Sequence, residues 1–237
     1  MNQSPIALDA YEILAESFSA RIDTKPHNAY YERPATLSLL PEVKDKLVLD
    51  VGCGPGVYAE WLADHGAKVV AFDVSPKMVD FAKKRLGSKA AVLQADFSQP
   101  LTIFKDSSFD IILSTLALDY VEDWNSVFRE FSRVLVQSGH LIFSVGHPFG
   151  DYQLHKTDNY FQTELIEWEW IGFGIPVHMP SYRRPLNAVL NPLFEAGFAL
   201  ERLLEPIPTE QFKREEPEDY EELSKRPGFL CIRAIKR

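Results

Sequence analysis

The sequence predicts an α/β protein with a doubly wound, mostly parallel β-sheet. From Leu47 to Val145, short apolar segments alternate with segments whose apolar residues recur at helical spacing. Parallel strands joined by right-handed helical crossovers produce this alternation. A glycine-rich turn separates the first of these strands from the first helix. The composition, 46% hydrophobic and 25% charged, is that of a folded chain, and we expect residues 1–237 to form one domain.

The chain begins with a polar and aromatic leader, residues 1–40, that we expect to be helical. Ser4 can cap a helix over Ile6 to Phe18, and Pro34 can open a second helix that runs to Leu40. Both helices are expected to precede the sheet.

Residues 41–146 carry the alternating core. The predicted strands are Leu47 to Val51, Lys68 to Phe72, Ala91 to Gln94, Phe109 to Ser114 and His140 to Val145. The predicted helices begin at Val57, at Met78 and at Trp124, and the last two run to Leu86 and Val134. Helices in these positions would cover both faces of the sheet.

The pattern changes after the core. Residues 147–185 are rich in Pro, Tyr, Trp and His and show little periodicity except around Phe161 to Trp170, so we expect a long loop that serves as a lid. Residues 186–237 then predict a helix to Ala196, a strand from Phe198 to Leu204, an acidic loop with a short helix, and a last strand from Gly228 to Ile235. We expect the last two strands to form a hairpin-connected pair.

The charge and the cysteines exclude several classes of protein. A net charge of −9 disfavours a nucleic-acid partner, because binding to polyphosphate needs clustered Lys and Arg. The first residues lack a basic start followed by an apolar run, and no segment has the roughly 18 apolar residues of a membrane span. Cys53 and Cys231 lack a metal-ligand spacing, so neither a zinc site nor a disulfide framework is expected. We expect a cytoplasmic protein with no membrane partner.

The glycine-rich turn is the strongest functional signal. It reads Asp50-Val51-Gly52-Cys53-Gly54-Pro55-Gly56, directly between a strand and a helix. Glycines allow close approach of a ligand there, and the helix start offers unpaired amide donors, so a nucleotide-like ligand fits. The spacing is G-x-G-x-G with Val57 in the next position, whereas the dinucleotide fingerprint needs a glycine at that position.

Two acids follow later strands. Asp73 ends the second strand, where a carboxylate can accept hydrogen bonds from both hydroxyls of a ribose. Asp96 with Phe97 follows the third strand, where an acid and a ring can bind a purine. The alternative is that both acids only cap helices, but three such signals in strand order favour a ligand site.

These residues carry a family resemblance. The segments Val48 to Gly56, Phe72 to Met78, Ala95-Asp96, Phe109 to Ile112, and Val134-Leu135 through Gly139 together resemble the class I S-adenosylmethionine-dependent methyltransferases of the large type 11 small-molecule group. The resemblance is strong over about residues 30 to 146. It implies a Rossmann-like sheet of seven strands whose last strand is antiparallel, and S-adenosyl-L-methionine as the cofactor, with S-adenosyl-L-homocysteine as its product.

The resemblance also implies roles for single residues. The loop at Gly52 and Gly54 would hold the methionine end of the donor and Asp50 would order that loop, while Asp73 takes the ribose and Asp96 with Phe97 brackets the adenine. Met78 would pack on the adenine, and the backbone at Ser114 would contact the methionine moiety. In the leader, Tyr30 or Arg33 would lie near the methionine carboxylate or would only pack against the sheet edge. The implied cofactor-binding set is Tyr30, Asp50, Gly52, Cys53, Gly54, Asp73, Val74, Met78, Asp96, Phe97 and Ser114.

The catalytic group is less constrained. Methyl transfer from a sulfonium requires alignment and exclusion of water, and a base only if the acceptor is a hydroxyl or a protonated amine. His147 follows the fifth strand and is the candidate base, although it can also be an ordinary loop histidine; His155 and His178 are weaker candidates. Relatives often have a histidine where this chain has Asp119, so no proton transfer is assigned there. The absence of an Asn/Asp-Pro-Pro-aromatic motif after the fourth strand argues against methylation of nucleic-acid bases.

The acceptor pocket is expected in the lid. Tyr160, Trp168 and Tyr182 can line an apolar pocket, although such aromatics can equally form a small core beneath a long loop. Arg183, next to Arg184, could bind a carboxylate or phosphate on the acceptor.

We therefore expect a methyltransferase that acts on a small molecule, as a monomer or homodimer. The alternatives are a nicotinamide-dependent oxidoreductase, which Val57 disfavours, and a regulatory protein that binds the donor without turnover.

Overall fold

The computed structural model describes residues 5–237. Ser4, the predicted cap of the first helix, lies outside these residues. The strands of the described chain are β1 Leu47–Val51, β2 Lys68–Asp73, β3 Ala90–Gln94, β4 Phe109–Thr115, β5 Leu135–Gly146, β6 Glu164–Trp170, β7 Val177–Arg183, β8 Phe198–Leu204 and β9 Phe229–Lys236.

Seven of these strands form one sheet in the order β3-β2-β1-β4-β5-β9-β8. Strand β1 pairs in parallel with β2 and β4, which pair in parallel with β3 and β5, respectively. Strand β9 runs antiparallel to both of its neighbours, β5 and β8. The predicted Rossmann-like sheet, mostly parallel with its last strand antiparallel, is confirmed.

The strand order places a crevice at one edge of the sheet. The chain winds outward in one direction from β1 to β3 and in the other from β4 to β5, so the connections leave β1 and β4 toward opposite faces. Ligands of open α/β sheets bind outside the carboxyl ends of the strands at such a reversal. The glycine-rich turn follows β1 and therefore lies at this position.

Helices cover both faces of the sheet. In chain order they are α1 Leu8–Arg21, a π-helical turn Asn28–Glu32, α2 Arg33–Ser38, α3 Val57–Asp64, α4 Pro76–Leu86, a 3₁₀ turn Leu118–Tyr120, α5 Trp124–Val134, α6 Pro148–Leu154, α7 Leu186–Glu195, α8 Glu210–Glu215 and α9 Pro217–Leu223. The helical leader is present, although α1 begins two residues later than predicted and ends three residues later.

Local signals explain the boundaries of the core helices. The Ser75 hydroxyl accepts a hydrogen bond from the Met78 amide at 3.1 Å and caps α4, which Gly87 ends at φ 53°. Helix α5 begins after Asp123, whose carboxylate accepts from the Ser126 amide. Its buried residues recur at helical spacing and face the sheet: Trp124, Val127, Phe128, Phe131 and Val134.

The core is split by the sheet into two layers. Val48 packs in the layer beneath α2, α3 and α4, whereas its neighbour Leu49 packs in the layer beneath α5 and α7. Successive strand residues point to opposite faces, so a strand covered on both sides needs a continuous apolar sequence. This requirement is why the core strands could be predicted.

The segment 147–185 differs from the predicted loop. It contains α6 and an antiparallel hairpin of β6 and β7, which form a separate two-stranded sheet. Alternate residues of β6 are half-buried on one face, among them Ile166, Trp168 and Trp170. This alternation is visible in the sequence and was the missed signal for the hairpin.

Two further boundaries differ from the prediction. Strand β5 begins at Leu135 rather than His140, with an irregular register against β4 between Phe109 and Ile111. Strands β8 and β9 are antiparallel neighbours, but residues 205–228 connect them through α8 and α9, so the connection is not a hairpin turn. Within residues 5–237, no helix is long and apolar enough to cross a membrane.

Candidate functional site

A cavity of about 640 Å³ opens at the carboxyl ends of β1, β2, β4 and β5. The leader and the β6–β7 hairpin form its outer walls. We divide its lining into a donor end, formed by residues 52–58, 73–78 and 96–98, and an acceptor end, formed by residues 115–121, 146–155 and 166–181.

The glycine-rich turn is fixed at the donor end by the adjacent strand. The amides of Gly52 and Cys53 both donate to the Phe72 carbonyl at 3.0 Å. The Asp73 carboxylate accepts from the Gly54 amide at 2.8 Å through Oδ2 and from the Ser75 amide at 2.9 Å through Oδ1. Burial raises the Asp73 pKa, while these amide donors oppose the shift.

The structure brings most of the predicted donor residues together. The Asp96 carboxylate accepts from the Ser98 amide at 2.8 Å, which holds the turn after β3 against the cavity. The predicted donor residues that line the cavity are Gly52, Cys53, Gly54, Asp73, Val74, Met78, Asp96 and Phe97.

Three predicted donor residues do not line the cavity. Tyr30 presents its carbonyl to the amide and hydroxyl of Thr209, which lies just before α8. Ser114 is fully buried within β4, and Thr115 and Leu116 line the cavity in its place. A direct donor contact therefore does not fit Tyr30, and Ser114, whose backbone is expected to contact the methionine moiety, lies one residue before the cavity lining.

Asp50 is the third of these residues and lies behind the glycine-rich turn. It is 1% exposed, and neither carboxylate oxygen has a hydrogen-bond partner among the described residues. Burial, with a smaller effect of the Asp73 charge, raises its pKa to about 7, against a weak opposing interaction with the Ala59 amide. A buried carboxylate without partners is costly, and a nearby cationic group such as the donor's ammonium would offset that cost.

Replacing Asp50 with Asn should change the pH dependence of stability. The folded-state pKa is raised, so the contribution of this group is present at acid pH and is lost as the pH rises through about 7. We expect the Tm of the ligand-free wild type to fall from pH 6 to pH 8 more steeply than that of Asp50→Asn, measured by scanning calorimetry. Asp158→Asn, at an exposed position, is the control and should follow the wild type. Parallel slopes for wild type and Asp50→Asn would contradict the assigned cause.

His147 lies outside the cavity lining. Its Nδ1 accepts from the amides of Phe149 and Gly150 at 3.2 and 3.3 Å and caps α6. Its Nε2 lies 2.8 Å from Glu205 Oε1. Burial lowers the His147 pKa, and Glu205 opposes this effect. Both ring nitrogens are engaged away from the cavity, so the geometry contradicts the predicted base role.

Only one of the three aromatic residues predicted to contact the acceptor lines the cavity. Trp168 lines the cavity, whereas the Tyr160 hydroxyl accepts from the Leu186 amide at 3.0 Å and the Tyr182 hydroxyl faces Glu122 at 3.5 Å. Neither tyrosine lines the cavity. A direct acceptor contact therefore fits only Trp168 among these three.

Arg183 is a structural residue rather than an anion receptor. It is 1% exposed, and its guanidinium lies 2.6 Å from Glu164 Oε1. It also donates to the carbonyls of Asn159, Tyr160 and Gln162. The sequence could not show this arrangement, because its partners lie about 20 residues upstream in an irregular segment. The predicted carboxylate or phosphate contact is contradicted.

Arg183→Gln should therefore reduce stability rather than acceptor affinity alone. Loss of the ion pair and of three carbonyl contacts leaves partly buried oxygens unpaired and a buried site unfilled, and we expect about 2–4 kcal/mol lower free energy of unfolding. Arg202→Gln, at an exposed position of β8, should change it by less than about 0.5 kcal/mol. Urea unfolding of both variants measures the difference, and an Arg183→Gln midpoint equal to that of wild type would refute the structural role.

Several cavity residues were not predicted. Asp119, to which the sequence assigned no proton transfer, lies in the 3₁₀ turn after β4, and Asp151 lies on α6. His155, treated as a weak candidate base, also lines the cavity, as do Tyr11 and Tyr120, whose hydroxyls lie 2.7 Å apart. The sequence signal for Asp119 is its place in the short segment that follows β4, whereas no sequence pattern indicates Asp151, because its position depends on α6.

Comparison with known proteins agrees with this architecture. Residues 49–143 match a family model described as a methyltransferase domain. An S-adenosylmethionine dependent methyltransferase structure from Mesorhizobium loti is 30% identical, superposes with a TM-score of 0.70, and covers 86% of this chain and 97% of its own.

Two curated relatives extend the comparison. A Haemophilus influenzae protein of uncharacterized function is 30% identical over 88% of both chains. A ubiquinone biosynthesis O-methyltransferase from Xanthomonas oryzae pv. oryzae is 31% identical, but over only 57% of this chain and 54% of the relative. The chain thus spans about half the length of that O-methyltransferase. With the sheet order and the matched glycine-rich turn, these similarities show that the chain belongs to the class I S-adenosylmethionine-dependent methyltransferases.

Proposed function

We propose that this enzyme transfers the methyl group of S-adenosylmethionine to a small-molecule acceptor held in the same cavity. The main support for this proposal is that one cavity of about 640 Å³ joins the donor end to an aromatic acceptor end. This volume lies in the range of small-molecule sites. Methyl transfer requires that donor and acceptor share one water-poor space in a fixed alignment.

The donor end fits the family's cofactor. Asp73 has two carboxylate oxygens with about four lone pairs, of which the amides of Gly54 and Ser75 use two. The remaining pairs can accept the two ribose hydroxyls. Met78 and Phe97 supply apolar contacts for the adenine, and Asp96 beside them can accept from its amino group. Gly52, Cys53 and Gly54 leave room for the methionine end, with Asp50 behind them.

The acceptor end fits an apolar or aromatic molecule. Residues 147–185 supply Trp168, Trp170 and Phe173 to its wall, and α1 of the leader supplies Tyr11 and Phe18. We propose that both segments act as covers over a single donor-binding domain. Several relatives are named as O-methyltransferases, which supports oxygen as one candidate acceptor atom.

The alternatives have less support. The turn has Val57 where a dinucleotide-binding fingerprint has its third glycine, and the relatives compared above give no support to a nicotinamide enzyme. A regulatory protein would bind the donor without turnover. We propose a cytoplasmic location for the enzyme. We also propose that it has no nucleic-acid partner, because its net charge is −9.

Calorimetric titration tests the proposal. S-adenosylhomocysteine should bind the purified protein with micromolar affinity, and reduced nicotinamide adenine dinucleotide should not bind. Incubation with methyl-labelled S-adenosylmethionine and a panel of small hydroxyl and amine compounds should then label at least one of them. Binding of the nicotinamide in preference to S-adenosylhomocysteine would overturn the proposal, and donor binding without labelled product across the panel would favour the regulatory alternative.

A further inference from the structure

The acceptor end of the cavity is acidic. Within the described chain, the segments that form this end, residues 115–121, 146–155 and 166–181, line it with carboxylates and with no Lys or Arg. The basic residues Lys25 and Arg33 that line the cavity belong to the leader, and Arg33 is tied to the Ile22 carbonyl at 2.7 Å. An anionic acceptor would therefore meet repulsion here.

Asp119 and Asp151 both contact Gly146. The Asp119 Oδ2 atom accepts from the Gly146 amide at 3.0 Å. A side chain on Gly146 would collide with the Asp151 carboxylate, so that carboxylate lies directly over the Gly146 α-carbon. Gly146 ends β5 and itself lines the cavity. The two carboxylates thus form a pair at the carboxyl end of this strand.

Asp151 has no hydrogen-bond or ion-pair partner for its carboxylate among the described residues. Its side chain is partly buried and lines the cavity, yet no described residue donates a hydrogen bond to the carboxylate or lies within 4 Å as an ion-pair partner. The nearby Arg183 binds Glu164 and the carbonyls before it. An unpaired carboxylate at this depth is costly unless a ligand supplies the missing donor.

Asp119 also lacks an ion-pair partner among the described residues. The positive charge of Arg184 lowers the Asp119 pKa. The Arg184 guanidinium itself, however, donates to the Val121 carbonyl at 2.8 Å and lies over the Trp124 ring at 4.0 Å. Burial raises the pKa of Asp119 to about 6 and that of Asp151 to about 8, with the Asp119 charge as the second cause for Asp151. A cation between the carboxylates would relieve this repulsion.

The remaining walls are suited to a cation attached to a ring. Trp168 and Trp170 line the cavity from the hairpin, and Tyr11 and Tyr120 line it from the leader and the turn after β4. The faces of Trp and Tyr attract ammonium groups, and their area stabilises an aromatic ligand. Apolar walls with an acidic end match an arylalkylamine better than a neutral or anionic aromatic compound.

We propose that the methyl acceptor is a small arylalkylamine whose ammonium group binds between Asp119 and Asp151 while its ring lies against the tryptophans of the β6–β7 hairpin. For transfer, one of the two carboxylates takes the ammonium proton, the freed nitrogen lone pair bonds to the methyl carbon, and the sulfur–methyl bond breaks to leave S-adenosylhomocysteine. This inference rests on the proposed transferase function and names its substrate class. The proposed acceptor is cationic, whereas the Arg183-Arg184 sequence predicts an acceptor that carries a carboxylate or phosphate.

The test uses probes that differ only in charge. Phenethylamine and tryptamine, each beside the alcohol and the carboxylate of the same carbon skeleton, are titrated into protein saturated with S-adenosylhomocysteine. We expect at least one amine to bind at least 10-fold more tightly than its alcohol, and the carboxylates not to bind. The inference would be overturned if both alcohols bound as tightly as their amines, or if neither amine bound.

Three variants locate the charge preference. Asp119→Asn and Asp151→Asn keep the side-chain shape, and each should reduce the amine preference at least 10-fold while S-adenosylhomocysteine still binds. Asp158→Asn is the control, because Asp158 is exposed, lies outside the cavity lining and loses the same charge; it should retain the preference. A preference that survives both Asp variants also overturns the inference. Failure of S-adenosylhomocysteine to bind wild type would instead refute the proposed function itself.

Discussion

Asp73→Ala should weaken S-adenosylhomocysteine binding at least 100-fold. The carboxylate is the expected acceptor for two ribose hydroxyls, and hydrogen bonds to charged groups contribute about 1.5–3 kcal/mol each. The same carboxylate holds the amides of Gly54 and Ser75. Its removal thus affects the ligand directly and also loosens the turn that borders it. The prediction is checked by calorimetric titration of folded protein.

The two roles of Asp73 can be separated by changing the ligand. An S-adenosylhomocysteine analogue without the ribose 2′-hydroxyl should bind wild type more weakly than the parent compound, whereas Asp73→Ala should not distinguish the two. Such a cycle isolates the hydroxyl contact from any change in the turn. Asp80→Asn, on the exposed side of α4, is the control and should bind normally. If Asp73→Ala discriminated between the ligands as well as wild type does, the ribose assignment would be wrong.

Local patterns made the fold predictable. The inner strands β1 and β4 are covered on both faces, and the resulting apolar runs, such as Leu47–Val51, identify strands without long-range information. Ser75 and Asp123 similarly place helix starts by hydrogen bonds within one turn. The β6–β7 hairpin was missed because its alternation involves glutamates and tryptophans that are only partly buried.

The donor end of the site was more predictable than the acceptor end. Residues such as Gly52 and Asp73 sit at fixed places after their strands, so strand order brings them together. Arg183 and Asp151 depend on irregular segments. Besides Glu164, the partners of Arg183 are backbone carbonyls that no residue pattern specifies. Asp151 meets Gly146 from α6, a helix that begins after the His147 cap. Side-chain type alone therefore pointed to a basic acceptor end, whereas the segments that form this end line it with carboxylates.

Gly52→Ala should nearly abolish donor binding, with a dissociation constant for S-adenosylhomocysteine at least 100-fold above that of wild type. Gly52 has φ 69°, where a side chain costs about 1–2 kcal/mol. The new Cβ would also lie 2.6 Å from the Cβ of Ala117, in the segment after β4. The turn and that segment both line the cavity, so relieving the contact must displace a wall of the donor site.

Two companion variants distinguish the contact from the backbone strain. Gly87→Ala has a similar φ of 53° but no atom within 4 Å of the new Cβ, and it lies at the end of α4 away from the cavity. Its ψ of −119° lies outside the left-handed helical region, so this variant should reduce stability by about 2–3 kcal/mol and leave S-adenosylhomocysteine affinity unchanged. Adding Ala117→Gly to Gly52→Ala removes the colliding methyl group and should recover part of the lost affinity, because only the strain remains. No recovery in the double variant would mean that the positive φ alone, rather than the close approach of the two loops, requires glycine at this position.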